Sequence, residues 1–288
     1  MDTSALPLGT SHLTDTHLAD DLRAMGLGTG QIVLVHSSLR AIGPLLDGAR
    51  TLSQALLRVL GVEGTIVVPT FTSDNSDTSR AYRARTQGMD AAELARYSDG
   101  FPPFDKNTSS AAECGQFAEQ LRIRSDAFRS DHPQTSFAAV GASARWLMAD
   151  HSLDDHLGWS SPLAKLYQAH AVILLLGVGY ECCSAFHLAE YGKAVGQPLM
   201  QYRCRITVGG MPIWHQYDDV VLDDSDFGGC GTAIESKMDL SMGHVGAAPA
   251  RLFPLRQAVD FTEKWLTENR STKNLNVQRP QMRMVDIT

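Results

Sequence analysis

No apolar stretch in the 288-residue chain approaches the roughly 20 residues that a membrane-spanning helix needs, so no membrane role is expected. The opening stretch, MDTSALPLGTSHLTDT, has no basic region followed by an apolar core, and a cytoplasmic protein without a secretory signal is the expectation. Cysteine is scarce. Cys114, Cys182, Cys183, Cys204 and Cys230 make an odd number with no paired zinc-type spacing, which fits reduced thiols better than a disulfide framework. A basic excess is missing as well: 25 Lys and Arg stand against 32 Asp and Glu, for a net charge of −7. Binding a phosphate backbone needs a basic face, so nucleic acid is not an expected partner. A Walker lysine and a G-x-G-x-x-G turn are also absent, and the paired histidines of a zinc-protease helix fail because Tyr191 stands where the second ligand would be. His151, His156, Asp154 and Asp155 crowd one segment, HSLDDHLGWSSP, but in no spacing of a closed metal site. No metal is expected, and these residues are read as a solvated loop.

What the chain does contain is a series of short buried-strand runs alternating with helical segments, the mark of an α/β fold. Apolar, β-branched runs predict strands over 32–35, 64–70, 136–140 and 172–176, and helices are predicted over 17–25, 51–60, 91–97, 115–122, 142–149, 162–169 and 254–266. Two alternating runs around Gly209-Gly210 predict a β-hairpin, and an acidic, glycine-rich loop follows it. The polar stretch 73–110 reads as a long excursion over the sheet edge, of the kind that often serves as a lid. No repeat or linker divides the chain. One domain over 1–270 is expected, with a loosely held tail over 271–288.

The run AVILLLGVGYECCSAFHLAEY places a strand, a glycine turn and a helical segment in succession. His187 and Glu190, three apart, should therefore share a helix face just beyond the carboxyl end of a central strand, the edge where α/β sheets collect their ligands. A carboxylate that accepts one ring N–H fixes the tautomer and raises the basicity of the other nitrogen, so the pair suits a general base. A solvated helix-surface ion pair has the same spacing. Cys182 and Cys183 stand close enough for a cysteine acyl transferase or hydrolase to be the rival chemistry, although no neighbouring positive charge marks either thiol as activated. Ser37, Ser38 and Arg40, following the first strand, suit either a pyrophosphate seat or a helix cap. Thr70, after the second strand, could present a hydroxyl to a carbonyl oxygen. Asp74 and Asp77 in one loop, and Asp218, Asp219, Asp223, Asp224 and Asp226 in another, favour a cationic ligand if they do more than confer solubility.

Several blocks, VHSSLRAIG, GTIVVPTFT, PPFDKNTS, FRSDHPQTSFAAVG, GWSSPLAKLY and LLLGVGYECCSAFHLAEY, resemble in order and spacing the antibiotic N-acetyltransferases of the aminoglycoside 3-N-acetyltransferase type. The resemblance runs from about Ile32 to Phe261, and its specificity lies in the joint presence of R-S-x-H-P-x-x-S-F-x-A-x-G and H-x-x-E. It implies a three-layer α/β/α fold, with a central mostly parallel sheet and a C-terminal β-hairpin, distinct from the usual acetyltransferase fold. The implied activity is transfer of acetyl from acetyl-CoA, without a metal, to the 3-amino group of a 2-deoxystreptamine aminoglycoside. On that basis His187 is the expected base, Glu190 its orienting carboxylate and Thr70 a hydroxyl near the thioester. Ser37, Ser38, Arg40, Arg129, Ser136 and Ser161 are the expected coenzyme groove, and Asp74, Asp77, Asp224 and Asp226 would receive the cationic antibiotic. A monomer or homodimer is expected. The chain departs from the family at PFDKNTSS and ECGQFAEQLR, which leaves room for a different amine acceptor.

Overall fold

The computed structural model describes residues 12–72, 75–192 and 195–270. Asp74 and the tail over 271–288 lie outside them. Seven strands form the central sheet: β1 (Ile32–Ser37), β2 (Thr65–Pro69), β3 (Phe128–Arg129), β4 (Phe137–Gly141), β5 (Val172–Leu176), β8 (Ser241–Val245) and β9 (Ala248–Pro254). Two more, β6 (Leu199–Val208) and β7 (Met211–Val220), make a separate two-stranded ribbon. The sheet order is β3-β4-β2-β1-β5-β9-β8. The three central strands β2, β1 and β5 are mutually parallel, while β4 and β9 run against them. Because β3 and β8 reverse once more, most strands of the sheet share one direction.

Alternation along each strand distributes the core over two faces. Leu34, Val67, Phe137, Ile173, Leu175 and Phe253 point to one side, where helices Pro162–Gln168 and Leu255–Asn269 pack on them. Val33, Val35, Ile66, Val68, Leu174 and Leu176 point to the other, under helices Asp15–Ala24 and Ala49–Leu60. A sheet covered on both faces requires strands apolar at every position, which is why β1, β2 and β5 read as unbroken apolar runs. The result is the expected three-layer α/β/α arrangement. Helix Pro162–Gln168 starts as its sequence predicts, with Ser161 capping Leu163 N–H and proline in the first turn.

The ribbon closes through Gly209 and Gly210, whose φ values of 59° and 82° are those of a tight turn that twists with its strands. The chain beyond the ribbon differs from expectation. The acidic, glycine-rich segment continues into a helix, Phe227–Lys237, and the small residues after it form the β8–β9 hairpin that extends the sheet. Glycine disfavours helix by about 1 kcal/mol per residue, so FGGCGTAIESK carries little helical signal. Gly231 has a packing role: a Cβ there would lie 2.0 Å from the Tyr180 ring. No helix among the described residues is long and apolar enough to cross a membrane.

Candidate active site

The carboxyl ends of β1, β2 and β5 open on one edge of the sheet, and each delivers a segment there. Gly177 ends β5 with a φ of 64°, and a Cβ at that position would lie 2.3 Å from Ala41 Cβ, so only glycine makes this turn. Beyond it come single 3-10 turns at Tyr180–Cys182 and Ser184–Phe186, then one α-turn, His187–Glu190. That α-turn stacks the two side chains. His187 Nδ1 donates to Glu190 Oε2 at 2.6 Å, with the imidazole 14% exposed and the carboxylate fully buried.

Glu190 is anchored from every side. Its Oε1 accepts from Gln197 Nε2 at 2.9 Å, from the Asp223 backbone N–H at 3.0 Å and from Arg270 Nη1 at 2.5 Å. Arg270 also donates to both oxygens of Asp226, at 2.7 and 2.5 Å, and to the Asp223 carbonyl at 2.6 Å. Burial opposes the charge on Arg270, but the bonds to Asp226 and Glu190 prevail and push it above the usual guanidinium range. The ring of Phe227 closes the back of the site, 4.8 Å from His187 and 5.9 Å from the Arg270 guanidinium. Sequence reasoning missed Arg270 because it lies 80 positions from its partner, at the end of helix Leu255–Asn269 in a stretch with no periodic signal.

With Nδ1 committed to Glu190, the imidazole turns its other edge to a cleft of about 420 Å³ whose lining includes His36, Glu113, Cys114, Ser184 and Asp224. His36 Nε2 and Ser184 Oγ are 3.3 Å apart. Burial, followed by the proximity of His187, pushes His36 down to about 4. The cleft shares Ser37, Glu113 and Cys114 with a second cavity of about 650 Å³ that runs past Ser38 and Arg40. A continuous groove therefore leads from the imidazole to the exit turn of β1.

Thr70, Arg129, Ser136 and Ser161 do not line that groove. Ser136 Oγ donates to the Thr70 carbonyl at 2.8 Å, so the Thr70 hydroxyl, 3.1 Å away, spends its own proton on Ser136. Arg129 donates to Ser136 Oγ at 3.0 Å, the Thr70 carbonyl at 2.8 Å and the Ser109 carbonyl at 2.5 Å, which clamps the 106–109 segment to the end of β2. Burial pushes Arg129 down to about 10. Ser161 is a buried helix cap. These residues hold the sheet edge in shape, and block membership alone carried no information on where their side chains point.

Of the acidic residues, Asp224 lines the cleft. Asp77 is paired with Arg203, and Asp226 with Arg270. Above the sheet edge a further cavity of about 550 Å³ lies against helix Ala91–Asp99, with Arg85, Arg96, Tyr97 and Phe101 in its wall. His151 and His156, expected in a solvated loop, are buried instead. His156 Nδ1 meets Asp219 Oδ2 at 2.8 Å, His151 Nδ1 meets Ser130 Oγ at 3.0 Å, and the fully buried His132 ring stacks 4.8 Å from His151. No group of three or more His, Cys, Asp or Glu among the described residues is arranged to hold a metal ion. Cys183 is buried, and burial pushes its thiol up; Cys182 is exposed on the cleft, and its thiol too is raised, first by desolvation and then by Glu181 and Asp224.

Fold and site together define an α/β enzyme with a carboxylate-backed histidine on a long groove. The chain belongs to the aminoglycoside 3-N-acetyltransferase family, whose profile matches residues 34–267. It is 36% identical to the SPbeta prophage-derived aminoglycoside N(3')-acetyltransferase-like protein YokD of Bacillus subtilis, over 91% of this chain and 95% of that protein. The crystal structure of YokD superposes with a TM-score of 0.85, covering 91% of this chain and 96% of that one. AAC-IIIb in binary complex with CoASH gives a TM-score of 0.79 at 30% identity, covering 90% and 97% of the two chains. AAC-VIa bound to sisomicin gives 0.79 at 29% identity, covering 89% and 98%.

Proposed function

We propose that this protein transfers the acetyl group of acetyl-CoA directly to an amine, with His187 as general base, and that the amine is the 3-amino group of a 2-deoxystreptamine aminoglycoside. The observation that carries this reading is the His187–Glu190 hydrogen bond at the mouth of a groove long enough to continue past Ser37, Ser38 and Arg40. The CoASH and sisomicin bound by AAC-IIIb and AAC-VIa support the pair of substrates.

An ammonium has no lone pair to attack with. His187 Nε2 takes its proton as the nitrogen approaches the thioester carbon, and the Glu190 carboxylate offsets the charge that appears on the ring. As the C–N bond forms, the carbonyl π pair moves to oxygen, and its return breaks the C–S bond. Of the two protons the nitrogen sheds between ammonium and amide, His187 passes one to the departing thiolate and the other goes to solvent. Asp224 on the cleft attracts the cationic acceptor. Ser37, Ser38 and Arg40 are the groups on the groove suited to a pyrophosphate.

A second reading, an acceptor of lower positive charge, is favoured by the compensated acids. Arg203 neutralises Asp77, Arg270 neutralises Asp226, and Arg85 and Arg96 line the neighbouring cavity. Raised and buried thiols speak against a cysteine nucleophile. Thiol release from acetyl-CoA, measured across a panel of aminoglycosides and simpler amines, separates these readings. The proposal expects turnover with 2-deoxystreptamine compounds bearing a free 3-amino group and no acetyl-protein by mass spectrometry when acceptor is withheld. Turnover confined to weakly charged amines would support the second reading.

A further inference from the structure

His36 and Ser184 have no part in the proton transfer described above, yet both line the cleft beside His187 and both are almost fully buried. They come from different elements, the end of strand β1 and the 3-10 turn Ser184–Phe186, and meet at 3.3 Å. Ser184 precedes His187 by one turn. A neutral imidazole and a hydroxyl hold two protons between them, and their mutual hydrogen bond uses one. With the proton on His36 Nε2, that bond runs from the imidazole to the Ser184 oxygen, and the Ser184 O–H is left to donate to a third group in the cleft. Thr70, the hydroxyl expected near the thioester, is spent on Ser136.

We propose that the His36–Ser184 pair is the hydrogen-bond donor that stabilises the negative charge developing on the thioester oxygen during acetyl transfer. This rests on the reading of His187 as base. A neutral donor suits the position, because a second cation beside His187 would oppose its protonation. Burial and the nearby His187 hold His36 down at about 4, so it is neutral at physiological pH. The attacking lone pair forms the C–N bond, the π pair lodges on oxygen against this donor, and the donor releases it as the C–S bond breaks.

The test is Ser184→Ala with steady-state kinetics and isotope-edited infrared spectra of bound carbonyl-labelled acetyl-CoA. Loss of one oxyanion donor lowers kcat by about 10²-fold, with KM for acetyl-CoA unchanged, and Ser184→Thr restores turnover. The carbonyl band of bound acetyl-CoA lies below its free value in the native protein and returns toward it in Ser184→Ala. His36→Phe lowers kcat alone but adds little to Ser184→Ala, because the two act as one unit. If Ser184→Ala fails to fold, His36→Phe carries the same infrared test. Native kcat in Ser184→Ala, or a carbonyl band unmoved by either variant, overturns the donor assignment. His187→Ala, assayed in parallel, keeps the two readings apart: turnover lost there but kept in Ser184→Ala removes the donor alone, whereas turnover kept in both removes the base as well.

Discussion

His187 is made useful by what stands behind it. Glu190 is fully buried and accepts from four donors, so its carboxylate cannot swing away from the ring, and the ring cannot turn without breaking a 2.6 Å bond. Glu190→Gln keeps the shape but removes the charge that, in the proposed mechanism, offsets the imidazolium. It is expected to lower kcat by about 10²-fold while leaving the affinity for acetyl-CoA, read by calorimetry, close to native. Arg270 stands one step further out. Arg270→Gln leaves Glu190 and Asp226 without their cation; breaking a buried pair of this kind costs on the order of 3 kcal/mol, which urea denaturation would record as a lower midpoint with an unchanged slope. An unaltered midpoint would mean that the two carboxylates are compensated by other groups.

Among the elements, the strand β5 and the turn after it carry the site. Gly177→Ala places a methyl group 2.3 Å from Ala41 Cβ and forces a non-glycine residue to a φ of 64°. Both effects together should cost more than about 2 kcal/mol; loss of turnover out of proportion to loss of stability would show that the turn sets the position of His187. The same element shows why the site was legible. β5 matches its sequence expectation residue for residue, because a strand buried on both faces has to be apolar throughout, and helical spacing beyond it fixed the His187–Glu190 contact. Legibility failed where packing overrode local preference. Gly231, which makes room for Tyr180, and the two glycines beside it hide the helix Phe227–Lys237, and Arg270 reaches Glu190 through tertiary contact alone. It failed again where residue type says nothing of direction: Arg129, Ser136 and Thr70 sit in the expected blocks but bond to one another, away from the groove.

Across the whole molecule, neutral histidines are built into the interior. Burial pushes His36 and His151 down to about 4 and His132 well below its usual value. His132 Nε2 is buried without a partner. In the unfolded chain these rings take up protons near pH 6.5, whereas the folded protein resists protonation until about pH 4. The unfolded state therefore binds more protons across that interval. The stability contributed by the neutral rings is fully present above about pH 6.5 and is lost as the pH falls toward 4. Urea midpoints measured at intervals over that range should fall steadily, and a His151→Asn variant should flatten the fall. Midpoints independent of pH would mean that the rings are hydrated in solution.

The central claim is that one imidazole on this groove removes the proton from the attacking amine. Its most direct measurement is acetyl transfer by His187→Ala at saturating acetyl-CoA, with coenzyme binding measured on the same sample. The account predicts near-native affinity for acetyl-CoA and a kcat reduced by at least about 10²-fold. Native turnover in a variant that still binds acetyl-CoA would contradict it.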